Sequence, residues 1–135
     1  QQALAAFAEP RYLHQVRTLS DAGDVQGAAD LSEAMEEGRL PRTRPWRVHF
    51  HLPLQQAEIE PGVLSTTRGA VETVLDVLAK KPSVRPHLEV ETYTWQVLPE
   101  AFRADDDAAL VQGLCRELSW VETQMVKRGL MEPDQ

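Results

Sequence analysis

The pattern that most constrains the fold recurs three times along the chain: a short run alternating apolar and polar residues, followed by apolar residues at helical spacing. The first unit takes RYLHQVRTL (11–19) as its strand, after a Pro10 that stops any preceding helix and favours extended geometry at its neighbour. The turn-rich SDAGDVQGAA leads to a short helix in which Asp30 and Glu33 form a capping box, Leu31, Ala34 and Met35 share a face, and Gly38 ends the helix. In the second unit, WRVHFHLPL sets Val48, Phe50 and Leu52 against Arg47, His49 and His51, and Pro53 weakens any continuation. A long loop with Pro61 and Gly62 precedes TTRGAVETVLDVLAKK, where Val71, Val74, Leu75 and Leu78 recur at helical spacing behind Thr66 or Thr67 as cap. The third unit is HLEVETYTW, with Leu88 and Val90 on one face and His87, Glu89, Glu91 and Tyr93 on the other. It leads to a long helix opened by Asp105, Asp106 and Asp107, with a stripe of Leu110, Val111, Leu114, Cys115, Leu118, Val121 and Met125 and a stop at Gly129.

Strand-helix units in series predict parallel strands joined by helical crossovers, the α/β class. Corresponding positions, His14, His49 and Glu89, are spaced as βα units of roughly 30 residues or more require. Eight such units make a TIM (β/α)8 barrel of about 250 residues. With 135 residues and three units the chain cannot close one, so it reads as three-eighths of a larger domain. No glycine-rich phosphate loop follows any of the strands, which removes positive support for a dinucleotide fold.

Composition excludes several function classes. Twenty-one acidic residues against 14 basic ones give a net charge of -7, which argues against nucleic acid because phosphate backbones are bound by basic surfaces. The single cysteine, Cys115, cannot pair within the chain, which fits a reducing cytoplasm, and its place on an apolar stripe predicts a core thiol rather than a nucleophile. No apolar run approaches the roughly 20 residues of a membrane span.

The second and third strands carry His and Glu where a solvated strand would carry ordinary surface residues. Period-two spacing puts His49 with His51, and Glu89 with Glu91, on single faces. Inward-facing polar residues near strand carboxyl ends are where barrels place chemistry, so His14, His49, His51, Glu89 and Glu91 form the candidate set. Imidazoles with carboxylates and no thiolates suit Zn, Mn, Fe or Co. Each half of the pattern alone also fits a solvated edge; their joint occurrence in successive units favours a site. Trp46 and Trp95 fit either core packing or a pocket wall, and Arg11, Arg17, Arg44 and Arg47 either solvent or a substrate phosphate.

The strings YLHQV (12–16), WRVHFHLPL (46–54), the TTR at 66–68 and HLEVETYTW with VLP (87–99) resemble the carboxyl-terminal part of the metabolite traffic protein EboE family. That family is similar to xylose-isomerase-like TIM barrels, the superfamily of sugar phosphate isomerases, epimerases and divalent-metal endonucleases. The resemblance implies that residues 1–135 are the carboxyl-terminal portion of such a barrel, carrying strands six to eight. It implies a divalent ion (Zn, Mn, Fe, Co or Mg) held by His14 on the sixth strand, His49 or His51 on the seventh, and Glu91 or Glu89 on the eighth, with Glu91 the first choice. Glu89, Glu91 and His51 then become the candidates for moving protons on a sugar-like or secondary-metabolite substrate. Two departures count against isomerase activity: the usual sixth-strand Asp is missing, and Pro53-Leu54 stands where a lysine-aspartate pair commonly follows the seventh-strand His.

The resemblance further implies a cytoplasmic protein of metabolite processing or traffic, with other proteins of the same traffic cluster as partners, and with neither nucleic acid nor a membrane span. Two alternatives are a divalent-metal phosphodiesterase or endonuclease on the same fold, and a non-catalytic metabolite-binding scaffold.

Overall fold

A computed structural model describes residues 2–91 and 94–133. The chain divides into two compact units, Gln1–Phe50 and His51–Gln135.

In the first unit, a short helix α1 (Gln2–Ala5) precedes strand β1 (Val16–Leu19), strand β2 (Val25–Ala28), helix α2 (Leu31–Met35) and strand β3 (Arg47–Val48). The strands form one sheet in the order β2-β1-β3. Both pairings are antiparallel, with Val16 opposite Ala28 on one side and Val48 on the other. Alternation along β1 buries Val16 and Thr18 and exposes Arg17 and Leu19. Val16, Ala28, Leu31, Ala34, Leu40 and Phe7 make up the buried apolar set of this unit. Leu31 and Val16 have no exposure, and full burial of such side chains is worth about 1.5–3 kcal/mol each. Asp30 caps α2: its carboxylate accepts from the Ser32 N–H, and Glu33 accepts from the Ala29 N–H at 2.9 Å.

The second unit opens with the hairpin of β4 (Glu58–Glu60) and β5 (Leu64–Ser65), which turns at Pro61-Gly62 with Gly62 at φ 71°. Helix α3 (Arg68–Ala79), a 3-10 helix (Trp95–Val97) and helix α4 (Asp107–Lys127) follow. Leu75 is the buried residue of α3. Asp106 is the N-cap of α4, accepting from the Ala109 N–H at 2.7 Å, in keeping with the acidic run expected to open this helix. Trp95, Leu98 and Ala104 form the buried cluster, with Leu52, Phe102, Ala109, Leu110 and Leu114 packed on it. Among the described residues, no helix is long and apolar enough to cross a membrane.

This architecture corrects the expected one. The chain is not a part of a TIM barrel: the two sheets among the described residues are small, antiparallel and open. The physical reason lies at Ser20–Asp24, where the segment expected to lead from strand to helix is a hairpin turn. Ser20 N donates to the Asp24 carbonyl at 2.8 Å, Gly23 N donates to the Ser20 carbonyl at 3.0 Å, and Gly23 sits at φ 89°. A turn this tight returns the chain antiparallel, whereas a parallel neighbour needs a crossover of a dozen or more residues. The second expected strand shrinks to Arg47–Val48, after which His49 N still donates to the Gln15 carbonyl at 2.9 Å. The third expected strand is absent over residues 87–91, and Thr92 and Tyr93 lie outside the described residues. Cys115, expected in the core, is exposed. The α4 stripe is rotated accordingly, burying Gly113 and Glu117 and leaving Val111 and Leu118 exposed.

Candidate functional site

The second unit holds a recess where three segments meet: residues 51–56, the stretch running from Thr94 through the 3-10 helix, and α4. Pro53 breaks regular structure in the first, leaving backbone groups that side chains must satisfy. Thr94 Oγ1 donates to the His51 carbonyl at 2.8 Å, and Leu54 N–H donates to Glu117 Oε1 at 2.9 Å. On the other side, Arg68 Nη1 donates to the Gln55 carbonyl at 3.0 Å and Thr66 Oγ1 to the Gln56 carbonyl at 2.5 Å. A loop without ladder bonds is thus pinned at four consecutive or near-consecutive residues.

Glu117 has no solvent exposure, and its carboxylate ties the loop to the middle of α4. One turn earlier, Gly113 lets the Trp95 ring lie against the helix backbone: a Cβ there would stand 2.9 Å from the ring atoms Cη2 and Cζ2. Trp95 is itself only 4% exposed. Beside it opens a recess of about 200 Å³, whose walls include Gln55, Trp95, Phe102, Arg103 and Arg116. Trp95 Nε1 and Gln55 Oε1, on two of these residues, are buried and have no hydrogen-bond partner among the described residues. Arg103 is paired with Asp105 at 3.1 Å. Among the described residues no carboxylate lines the recess, so in a chain of net charge -7 it carries local positive charge from Arg103 and Arg116.

The residues singled out in the sequence are distributed differently. His14 is buried in the first unit, with its ring 4.6 Å from that of Phe50. Its imidazole stands 3.8 Å from a Glu9 carboxylate oxygen and 3.9 Å from one of Asp30. Its backbone N–H donates to Asp30 Oδ1 at 2.8 Å. Burial raises the Asp30 pKa, but the hydrogen bonds from the His14 backbone, the Ser32 hydroxyl and the Ser32 and Leu31 backbones outweigh it and hold the carboxyl below its ordinary range. Glu33, bonded to Arg39 and to the Ala29 N–H, is lowered as well. His49 is exposed on the strip beyond β3.

His51 and Glu91 do come together in the second unit, through His51 Nδ1 and the Glu91 backbone carbonyl at 3.2 Å rather than through the carboxylate. The Glu89 and Glu91 side chains are exposed. Among the described residues, no group of three His, Cys, Asp or Glu side chains is placed to hold a metal ion. The described residues therefore do not assemble the ligand set that the resemblance implies.

Trp95 was legible in the sequence as a core or pocket residue, and it is both. Gln55, Phe102, Arg116, Gly113 and Glu117 were not singled out. Two of these had a signal: a glycine inside a helical pattern marks close approach, and a glutamate three residues after Leu114 and four before Val121 sits at core spacing. Comparison with known protein families, curated proteins and solved structures finds none that matches the chain.

Proposed function

We propose that the chain is a metabolite-binding protein, acting in the cytoplasm in the kind of metabolite handling that its resemblance to the EboE family implies. The observation that carries this reading is the recess of about 200 Å³ beside Trp95, walled by aromatic and amide side chains together with Arg103 and Arg116. Small-molecule sites are concave and hold polar groups that fix a ligand's orientation. The isomerase and phosphodiesterase readings both need several side chains on one divalent ion. They have less support, because His51 meets the Glu91 carbonyl and no three donor side chains converge among the described residues.

A thermal-shift screen of small polar metabolites tests the reading. A ligand at 100 times its Kd stabilises the folded state by about 2.7 kcal/mol, which raises Tm measurably. Hits are expected, and they should disappear in Ala101→Trp, which fills the recess from its exposed rim. A screen without hits, or hits indifferent to Ala101→Trp, removes the proposal.

A further inference from the structure

Helix α4 carries apolar residues on two faces. Leu110 and Leu114 pack on the Trp95 cluster, on the side where Gly113 and Glu117 are buried. On another face, Ala108, Val111, Cys115, Leu118, Glu122 and Met125 follow one another at alternating steps of three and four residues. The first five are exposed, Val111 at 58% and Leu118 at 53%, and Met125 is half-buried. Residues repeating in this way form the seam along which one helix packs on another. With 21 residues α4 is about 32 Å long, and the seam runs nearly its whole length.

We infer that this face joins two copies of the chain, paired antiparallel along α4 about a two-fold axis. The occupant is a second copy because the seam and the charges at the helix ends select the same register. When Cys115 faces Leu118 of the second copy, Ala108 faces its Met125 and Val111 its Glu122. That register also sets Asp106 against Lys127 and Asp105 against Arg128 at both ends of the pair. Within one chain Asp105 already pairs with Arg103 and Arg128 with Asp76, so each end gathers a network of opposite charges rather than one isolated pair. The alternatives bring like charges together. Sliding one helix by four residues, so that Val111 faces Leu118, puts Asp107 against Glu122. A parallel pair puts Glu122 against Glu122 and lays the two Asp105–Asp107 runs side by side. Like charges so placed are costly, and a single polar residue in a seam is a device that fixes register. A face that satisfies itself about a two-fold axis requires no other sequence.

Sedimentation velocity of the whole chain tests the pairing. One helix pair is a small interface, so a reversible dimer with a Kd in the micromolar range is expected over about a hundredfold span of concentration. Leu118→Lys, at a position half open to solvent, should weaken the dimer by about 10-fold or more while leaving the circular dichroism unchanged. Lys127→Glu should weaken it by about 3-fold or more, because the pair with Asp106 occurs twice. Register is read by cross-linking. The unmodified chain, with its thiol at Cys115, is mixed with Cys115→Ser/Leu118→Cys and exposed to a mild oxidant under reversible dimerising conditions. A mixed disulfide between the two proteins should form in preference to a disulfide within either population. A chain that stays monomeric at every concentration overturns the inference and leaves the seam to a different protein. A dimer indifferent to Leu118→Lys, or one in which Cys115 links preferentially to Cys115, overturns it as well.

Discussion

Replacing Gly113 by Ala sets two magnitudes against each other. In a solvated helix interior the change stabilises by about 1 kcal/mol, because Gly gives up more backbone freedom on folding than Ala does. Here the added methyl would meet Trp95 Cη2 and Cζ2 at 2.9 Å and Cζ3 at 3.1 Å, closer than a methyl group tolerates. The ring cannot swing aside cheaply, since Trp95 is 4% exposed and packs with Leu98 and Ala104. Overpacking of this kind costs about 1–3 kcal/mol. The net effect is therefore a loss of about 0–2 kcal/mol, opposite in sign to the propensity expectation, and a central value of about 1 kcal/mol lowers Tm by roughly 4 °C in a chain of this length. Urea denaturation followed by far-UV circular dichroism measures it. A double-mutant cycle isolates the cause: Trp95→Phe removes the ring atoms that the methyl meets, so in that background Gly113→Ala should become stabilising, with a coupling of about 1–3 kcal/mol. If Gly113→Ala raised the urea midpoint in the unmodified chain, or showed no coupling to Trp95→Phe, the packing of the indole against α4 would be refuted, and the recess built beside it would go too.

Two further predictions concern polar groups, each bonded within its own unit. Glu117→Leu leaves the Leu54 N–H without its acceptor and should cost about 1–3 kcal/mol, whereas Glu117→Gln keeps an acceptor oxygen and should cost less; equal losses in urea denaturation would show that the 2.9 Å bond contributes nothing. Because the folded-state pKa of Asp30 lies below its ordinary value of 3.8, its contribution to stability is complete above that value and is lost as pH falls through the lower folded value. Asp30→Asn should therefore flatten the acid limb of a stability-versus-pH curve below about pH 4, and an unchanged limb would sink the assignment.

How far the fold could be read from the residues depends on which kind of signal each element uses. Helix ends rest on local chemistry: Asp106 before an apolar stripe, Asp30 with Glu33, and Gly129 at φ 66° are all interactions within a few residues, so α2 and α4 were legible almost to their boundaries. Strand pairing is not local. Alternation in Val16–Leu19 says which side chains share a face, but nothing about whether the neighbour runs parallel or antiparallel. That was decided at Ser20–Asp24, where Asp21, Gly23 and Asp24 are turn residues equally at home in a hairpin and in a loop before a helix. The same limit applies to HLEVETYTW, whose alternation supports a strand only if a partner exists to accept it; residues 87–91 have none among the described residues and stay irregular.

The candidate site was legible in a different place from the one that polar residue types advertised. His49, Glu89 and Glu91 attract notice because their side chains ionise or ligate, yet all three are exposed, and exposure leaves a polar group content with water. The residues that shape the recess interrupt an apolar pattern instead: Gly113 and Glu117 fall on the face of α4 where Leu110, Leu114 and Val121 point to packing. A gap in a core stripe means that something else fills it, here the Trp95 ring at Gly113 and the Leu54 N–H at Glu117. Burying such groups is costly unless each finds a partner. Glu117 finds one in the loop it holds, while Trp95 Nε1 and Gln55 Oε1 find none among the described residues.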